Sequence, residues 1–209
     1  YLKLAHLALV GVASVFMVLV WRKAWREQPD QNLLLPLTTV TGVLFFFFSF
    51  IGAIEVTRAY PLHLVILHAM TAVALWISLG SLVYLSGILA KDATEVPKFD
   101  YCQRAKDFFI LSKPLIVALL LVTTYSGLVA GTKAWPSASL TFWTLLGGTL
   151  AAAGSSALNQ YIDRELDKNM QRTAKRPLAD GRLTAAEGLS YGLALCLVSY
   201  YVMAGFVNL

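Results

Sequence analysis

Apolar residues run along this chain in six long blocks, at about 4–21, 33–54, 62–88, 108–131, 139–161 and 185–207. Each is long enough to cross a bilayer, which takes roughly 20 mostly apolar residues. No soluble domain fits between them. The pattern therefore predicts an all-α fold, a polytopic membrane protein with about six transmembrane helices.

The polar intervals assign a topology, because cytoplasmic loops carry an excess of Lys and Arg. With loop 22–32 inside and the six spans alternating from there, fourteen Lys and Arg residues fall inside, while only Lys3, Arg58 and Lys133 fall outside. The long charged interval 91–107, with Pro97 at its middle, reads as a cytoplasmic linker between two three-span portions, 1–90 and 108–209.

Composition agrees with the pattern: 57% of residues are hydrophobic and 14% charged, with mean hydropathy +0.65. Soluble domains carry roughly a quarter charged residues. The net charge of +5 lies between apolar blocks, so it is expected to set topology, and no nucleic-acid partner is implied. The chain starts at Tyr1 without a charged leader ahead of a short apolar core. That predicts no signal peptide and a piece of a longer protein. Cys102 and Cys196, one in a charged loop and one in an apolar block, predict no structural disulfide.

Chemistry is concentrated from Ala157 to Leu178, where an apolar block runs into acids and bases. Asn159, Asp163 and Asp167 recur every four residues. On a helix that places them within roughly 80° of one another, with steps of about 6 Å. Such a face offers oxygen ligands to a hard cation such as Mg²⁺, which usually keeps water and bridges to substrate phosphates. The following Arg172, Lys175 and Arg176 are candidates to hold a diphosphate beside that metal. Lys113, in Ser112-Lys113-Pro114 at the start of the fourth span, either anchors the span or faces the same pocket as Asp163.

Two histidines form a second candidate. If Trp21 and Tyr84 mark the inner interface, as aromatic belts do, then His6 and His68 lie 15 and 16 residues above it, at matching depth. Facing neutral imidazoles commonly hold a haem iron from both sides. The alternative is that each hydrogen-bonds a neighbouring helix or snorkels to the interface; the matched depth favours the haem. His63, just after Pro61, reads as interfacial. Glu55 and Arg58 in the outer turn would pair with each other, meet a haem edge, or simply be solvated. The Phe45 to Phe48 run is explained by lipid contact and packing. Gly147, Gly148, Gly154, Ser155 and Ser156 make the fifth span small-sided, which favours close helix approach. Thr184 and Glu187 have the spacing of a capping box opening the sixth span.

The segment Asn159-x3-Asp163-x3-Asp167-x2-Met170-x-Arg172-Thr173-x2-Arg176-Pro177-Leu178, preceded by Lys113-Pro114, closely resembles the haem O synthase (protohaem IX farnesyltransferase) family of the intramembrane prenyltransferase superfamily. That resemblance runs from about Phe108 to the end. Residues 1 to about 90 resemble the last three spans of haem A synthase, through His6, the turn Gly52 to Pro61, and His68 with its apolar span.

The resemblance implies Mg²⁺-dependent transfer of a farnesyl group from farnesyl diphosphate to the vinyl group of haem B. Asp163 and Asp167, with Asn159, would hold the metal, and Lys113, Arg172, Lys175 and Arg176 would contact the diphosphate. His6 and His68 would hold haem b in a portion related to oxidation of haem O to haem A. Both families extend beyond this sequence, and no second Asp-rich motif follows Asp167 before Leu209. Two other readings stay open: a prenyltransferase for a quinone precursor or chlorophyll, and a non-catalytic haem-binding or structural subunit among other membrane chains.

Overall fold

The computed structural model describes residues 2–57, 61–89, 100–132 and 135–207, with the side chains of 2–7 and 56 outside that set. Arg58, Lys91, Lys98 and Lys133 thus lie outside the described residues. Seven α-helices make up the fold among the described residues: α1 (Leu2–Glu27), α2 (Leu34–Thr57), α3 (Leu62–Leu89), α4 (Tyr101–Leu111), α5 (Pro114–Thr132), α6 (Ala138–Asp167) and α7 (Ala185–Phe206). The protein is an all-α polytopic membrane protein. Five helices, α1, α2, α3, α5 and α7, are long and apolar enough to cross a bilayer.

That is one fewer than the six expected blocks, and the difference is α6. It contains the expected 139–161 block and spans 30 residues, about 45 Å of helix. Its apolar content is diluted by glycine, serine and threonine along the face it buries.

Two compact units divide the chain, Tyr1–Pro97 and Lys98–Leu209. In the first, α2 packs on both α1 and α3. Leu64, Leu67, Thr71, Leu75 and Ser78 are the buried positions of α3, recurring every three or four residues as a single helix face requires. Leu44, Phe47 and Ile51 are buried positions of α2, spaced for one face of that helix. Polar groups in this unit mostly close onto their own helix: the Thr38 and Thr39 hydroxyls donate to the carbonyls of Leu34 and Leu35 at 2.7 and 2.9 Å. Among the described residues, hydrogen bonds also cross between helices. Trp25 Nε1 on α1 donates to Thr39 Oγ1 at 3.0 Å, and the Thr41 and Ser78 hydroxyls join α2 to α3.

In the second unit α7 packs along α6 so closely that glycine is required at the crossing. A Cβ added at Gly154 would lie 2.7 Å from Cys196 Sγ and 3.0 Å from Gly192 O, and one at Gly147 would meet the Met203 side chain. Close approach lets Ser199 Oγ donate to Gly147 O across the helices at 2.7 Å. The Trp143 and Phe206 rings stack at 3.9 Å. Gly147 and Gly154 of the small-sided face thus pack as expected, while Ser155 is exposed. Cys102 and Cys196 are both free thiols.

The expected fourth span, 108–131, and the linker ending at 107 need correction. Residues 101–111 form a separate helix, α4, and the apolar span proper, α5, begins at Pro114. Asp100 caps α4, accepting from the backbone N–H groups of Cys102 and Gln103. The break comes from Pro114, which has no N–H to continue the ladder and disfavours right-handed helix at the residue before it. Lys113 accordingly adopts φ 48°.

Candidate functional site

The break at Lys113-Pro114 leaves the carbonyls at the end of α4 in need of donors. Ser156 and Gln160, one turn apart on α6, supply them: Ser156 Oγ and Gln160 Nε2 both donate to Leu111 O, at 3.0 and 2.8 Å. Gln160 is 2% exposed. It stands next to Asn159 in sequence, and it holds α4 against the helix that carries the acidic face. Leu111 itself packs with Ala157, Leu178 and Leu183, sealed by Phe108, Tyr161 and Tyr191. Ser112 and Tyr191 hydroxyls bond at 2.8 Å.

Asn159 and Asp163 lie on α6, one turn apart, and both are exposed. Asp167 ends the helix and is different: it is 4% exposed, and its Oδ2 accepts from Arg176 Nη1 at 2.7 Å. Among the described residues no group of three or more His, Cys, Asp or Glu side chains stands together as a metal cage. The expected oxygen face is therefore split, with Asn159 and Asp163 open and Asp167 committed to a guanidinium.

The loop after α6 is clipped down by its own sequence. Thr173 Oγ1 donates to Asp167 O at 3.3 Å, and turns close through Met170 N to Asp167 O, Arg176 N to Thr173 O, and Leu183 N to Pro177 O. Pro177 and Leu178 are buried, and Leu178 fills the space above Gly188 of α7 that any larger residue would occupy. The Arg-Pro-Leu stretch is thus an anchor on both sides: Arg176 on Asp167, Leu178 on α7. Gly181 reverses the chain at φ 78°. Arg172 and Lys175 remain exposed, and neither they nor half-buried Lys113 makes an ion pair among the described residues.

Residues that sequence reasoning treated as linker or cap charges complete the frame. Asp107 on α4, 1% exposed, accepts from Arg182 Nε at 3.0 Å. Arg182 also donates to Lys175 O at 3.1 Å and pairs with Asp180. Arg104 of α4 pairs with Glu187 of α7, while Glu187 Oε2 accepts from Thr184 N at 2.9 Å in the expected capping box. Burial pulls the Arg104 guanidinium below its usual range, and neighbouring Asp107 opposes that shift. On the exposed rim, the hydrogen bond and charge of Lys168 hold the Glu165 carboxyl below its ordinary value.

In the first unit, His68 of α3 lies against α2, with its ring centroid 4.3 Å from that of Phe48 and its Nδ1 3.8 Å from Glu55 Oε2. His6 is on α1, but its side chain lies outside the described residues, so the expected His6 and His68 pairing has no geometry here. Arg58 also lies outside them. His63 is exposed.

Residues 120–209 match the UbiA prenyltransferase family. A protoheme IX farnesyltransferase of Roseiflexus sp. is 29% identical over an alignment covering 100% of this chain and 43% of the relative. Its counterpart in Aquifex aeolicus is 43% identical, over 49% of this chain and 35% of the relative. One in Streptomyces avermitilis is also 43% identical, over 50% of this chain and 34% of the relative. No solved structure matches. The chain spans less than half the length of these curated relatives; the family match falls within the unit that carries the Asn159 and Asp163 face, whereas the Roseiflexus alignment takes in both units.

Proposed function

We propose that this chain is part of a membrane enzyme that transfers a farnesyl group from farnesyl diphosphate to the vinyl group of haem B, the second unit holding the diphosphate. The observation that carries this reading is the exposed Asn159 and Asp163 face on α6 followed by a clipped loop presenting Arg172 and Lys175, within the residues that match the UbiA family. The relatives in Roseiflexus and Aquifex are protoheme IX farnesyltransferases, which supports haem as the acceptor and farnesyl as the group transferred.

The exposed Asp163 carboxylate and Asn159 amide are hard oxygen donors and fit Mg²⁺. Asp163, Asp167 and Asn159 would hold that ion, and when bound it neutralises charge on the leaving diphosphate. Arg172, Lys175 and Lys113 bring uncommitted cations to the diphosphate oxygens, where charge-assisted hydrogen bonds are the strong kind. Arg176 contributes after exchanging Asp167 for the diphosphate. The motif faces the cytoplasmic side in the topology that the Lys and Arg distribution predicts. The first unit, resembling haem A synthase, holds a haem b through His6 and His68; other membrane subunits are potential partners.

The test is Mg²⁺-dependent conversion of haem B to haem O by the full-length protein containing this chain. Asp163→Asn is expected to lower turnover by on the order of 100-fold or more, since metal charge stabilisation is worth several kcal/mol. Unchanged turnover in that variant overturns the metal role. Product formed only with a quinone or chlorophyll precursor overturns the acceptor.

A further inference from the structure

Phe48, Gly52 and Glu55 occupy positions i, i+4 and i+7 of α2, which brings them onto one stripe of the helix. All three converge on the imidazole of His68. Phe48 covers it at 4.3 Å between centroids. At Gly52 a Cβ would come 2.8 Å from His68 Cε1 and 3.4 Å from Nδ1, so only glycine lets the ring lie against the α2 backbone. Glu55 is 8% exposed, and its Oε2 stands 3.8 Å from Nδ1.

Glu55 Oε1 and His68 Nδ1 are both buried without a hydrogen-bond partner among the described residues. Leaving two such atoms unpaired beside each other is costly, and a small side-chain rotation joins the carboxyl to the ring. We propose that Glu55 is the positioning residue of His68, accepting a hydrogen bond from Nδ1–H and so leaving the lone pair on Nε2 as an iron ligand. This inference rests on the reading of the first unit as haem-binding, but its core claim concerns the ring itself. A neutral imidazole has one donor and one acceptor nitrogen, and the partner of one decides the role of the other. Carboxylate partners of this kind fix ring orientation and raise ligand basicity.

The test uses the full chain with ¹⁵N-labelled histidine, purified without haem in lipid nanodiscs. The protein has only three histidines, so a His63→Asn background and a His68→Asn control assign the signals. The expected result is a His68 ring protonated at Nδ1. Glu55→Gln, whose amide oxygen still accepts, keeps that tautomer, whereas Glu55→Leu moves the proton to Nε2. A wild-type ring protonated at Nε2, or a tautomer indifferent to Glu55→Leu, overturns the proposal. Haem titration of the same samples is the second readout: Glu55→Leu is expected to weaken haem binding about 10–100-fold, with Glu55→Gln between it and wild type. Correct tautomers with no haem uptake by wild type would overturn the haem reading alone and leave the positioning of His68 standing.

Discussion

The two units differ in how far their buried polar groups reach. In the first, hydroxyls such as Thr38 fold back onto their own helix. Its cross-helix contacts, Trp25 to Thr39, Thr41 to Ser78 and Glu55 beside His68, join neighbouring helices without, among the described residues, a buried ion pair between fixed charges. In the second, buried polar groups reach between elements: Arg104 to Glu187, Asp107 to Arg182, Asp167 to Arg176, Gln160 to Leu111 O. A hydroxyl that back-bonds adds little to helix stability, whereas a cross-element pair specifies which segments must meet. The second unit is therefore the one in which polar chemistry builds a site, and its loop is fixed by charge as well as by packing.

The most severe way to break this contrast is at Glu187, which is fully buried and serves both a cap and an ion pair. Glu187→Ala removes one partner of a buried pair and one half of a capping box. A loss of about 3–5 kcal/mol is expected, near the lower end because Arg104 keeps some solvent contact. Thermal unfolding in detergent measures it. Glu187→Gln should recover part of the loss, since an amide still satisfies the Thr184 N–H. An alanine variant as stable as wild type would remove α4 from the frame of the site.

A smaller effect separates the units directly. Gln160→Leu leaves Leu111 O with Ser156 as its remaining side-chain donor, so about 1 kcal/mol is expected, rising to about 1–3 kcal/mol when Ser156→Ala is added. The matched change in the first unit, Thr38→Val, removes an equally buried group whose hydroxyl bonds Leu34 O of its own helix, and should fall within about 0.5 kcal/mol of zero. Equal effects in the same unfolding assay would mean that cross-element bonding is not what distinguishes the second unit.

Why some of this was legible in sequence and some was not follows from the range of each interaction. The helices, the Thr184 and Glu187 cap, and the shared face of Asn159 and Asp163 are set by spacings of three or four residues, and pattern reading reaches them. Arg104 finds Glu187 83 positions later, and Asp107 finds Arg182 75 positions later. Nothing local marks such pairs, so α4 read as linker. Gln160 escaped notice because its neighbours carry the recognisable motif while it points into the packing. Asp167 kept the motif spacing, yet a residue nine positions on decides what its carboxylate does.

The smallest expected effect lies on the acidic stretch itself. Glu165 accepts from Lys168 Nζ at 2.7 Å, an i, i+3 pair on the exposed rim of α6, where ion pairs contribute little. Its carboxyl sits below its ordinary value of 4.5, first through that hydrogen bond and then through the charges of Lys168 and Arg164. A depressed carboxyl adds stability that is present above its unfolded value and lost as pH falls through the folded one. Thermal midpoints of wild type and Glu165→Gln should therefore coincide in acid and separate only slightly above about pH 4.5, and added salt should close even that gap. A wide separation would mean that the rim is coupled to the buried frame. The line between solvated charges and the committed Asp167 and Arg176 pair would then have to be redrawn to include Glu165.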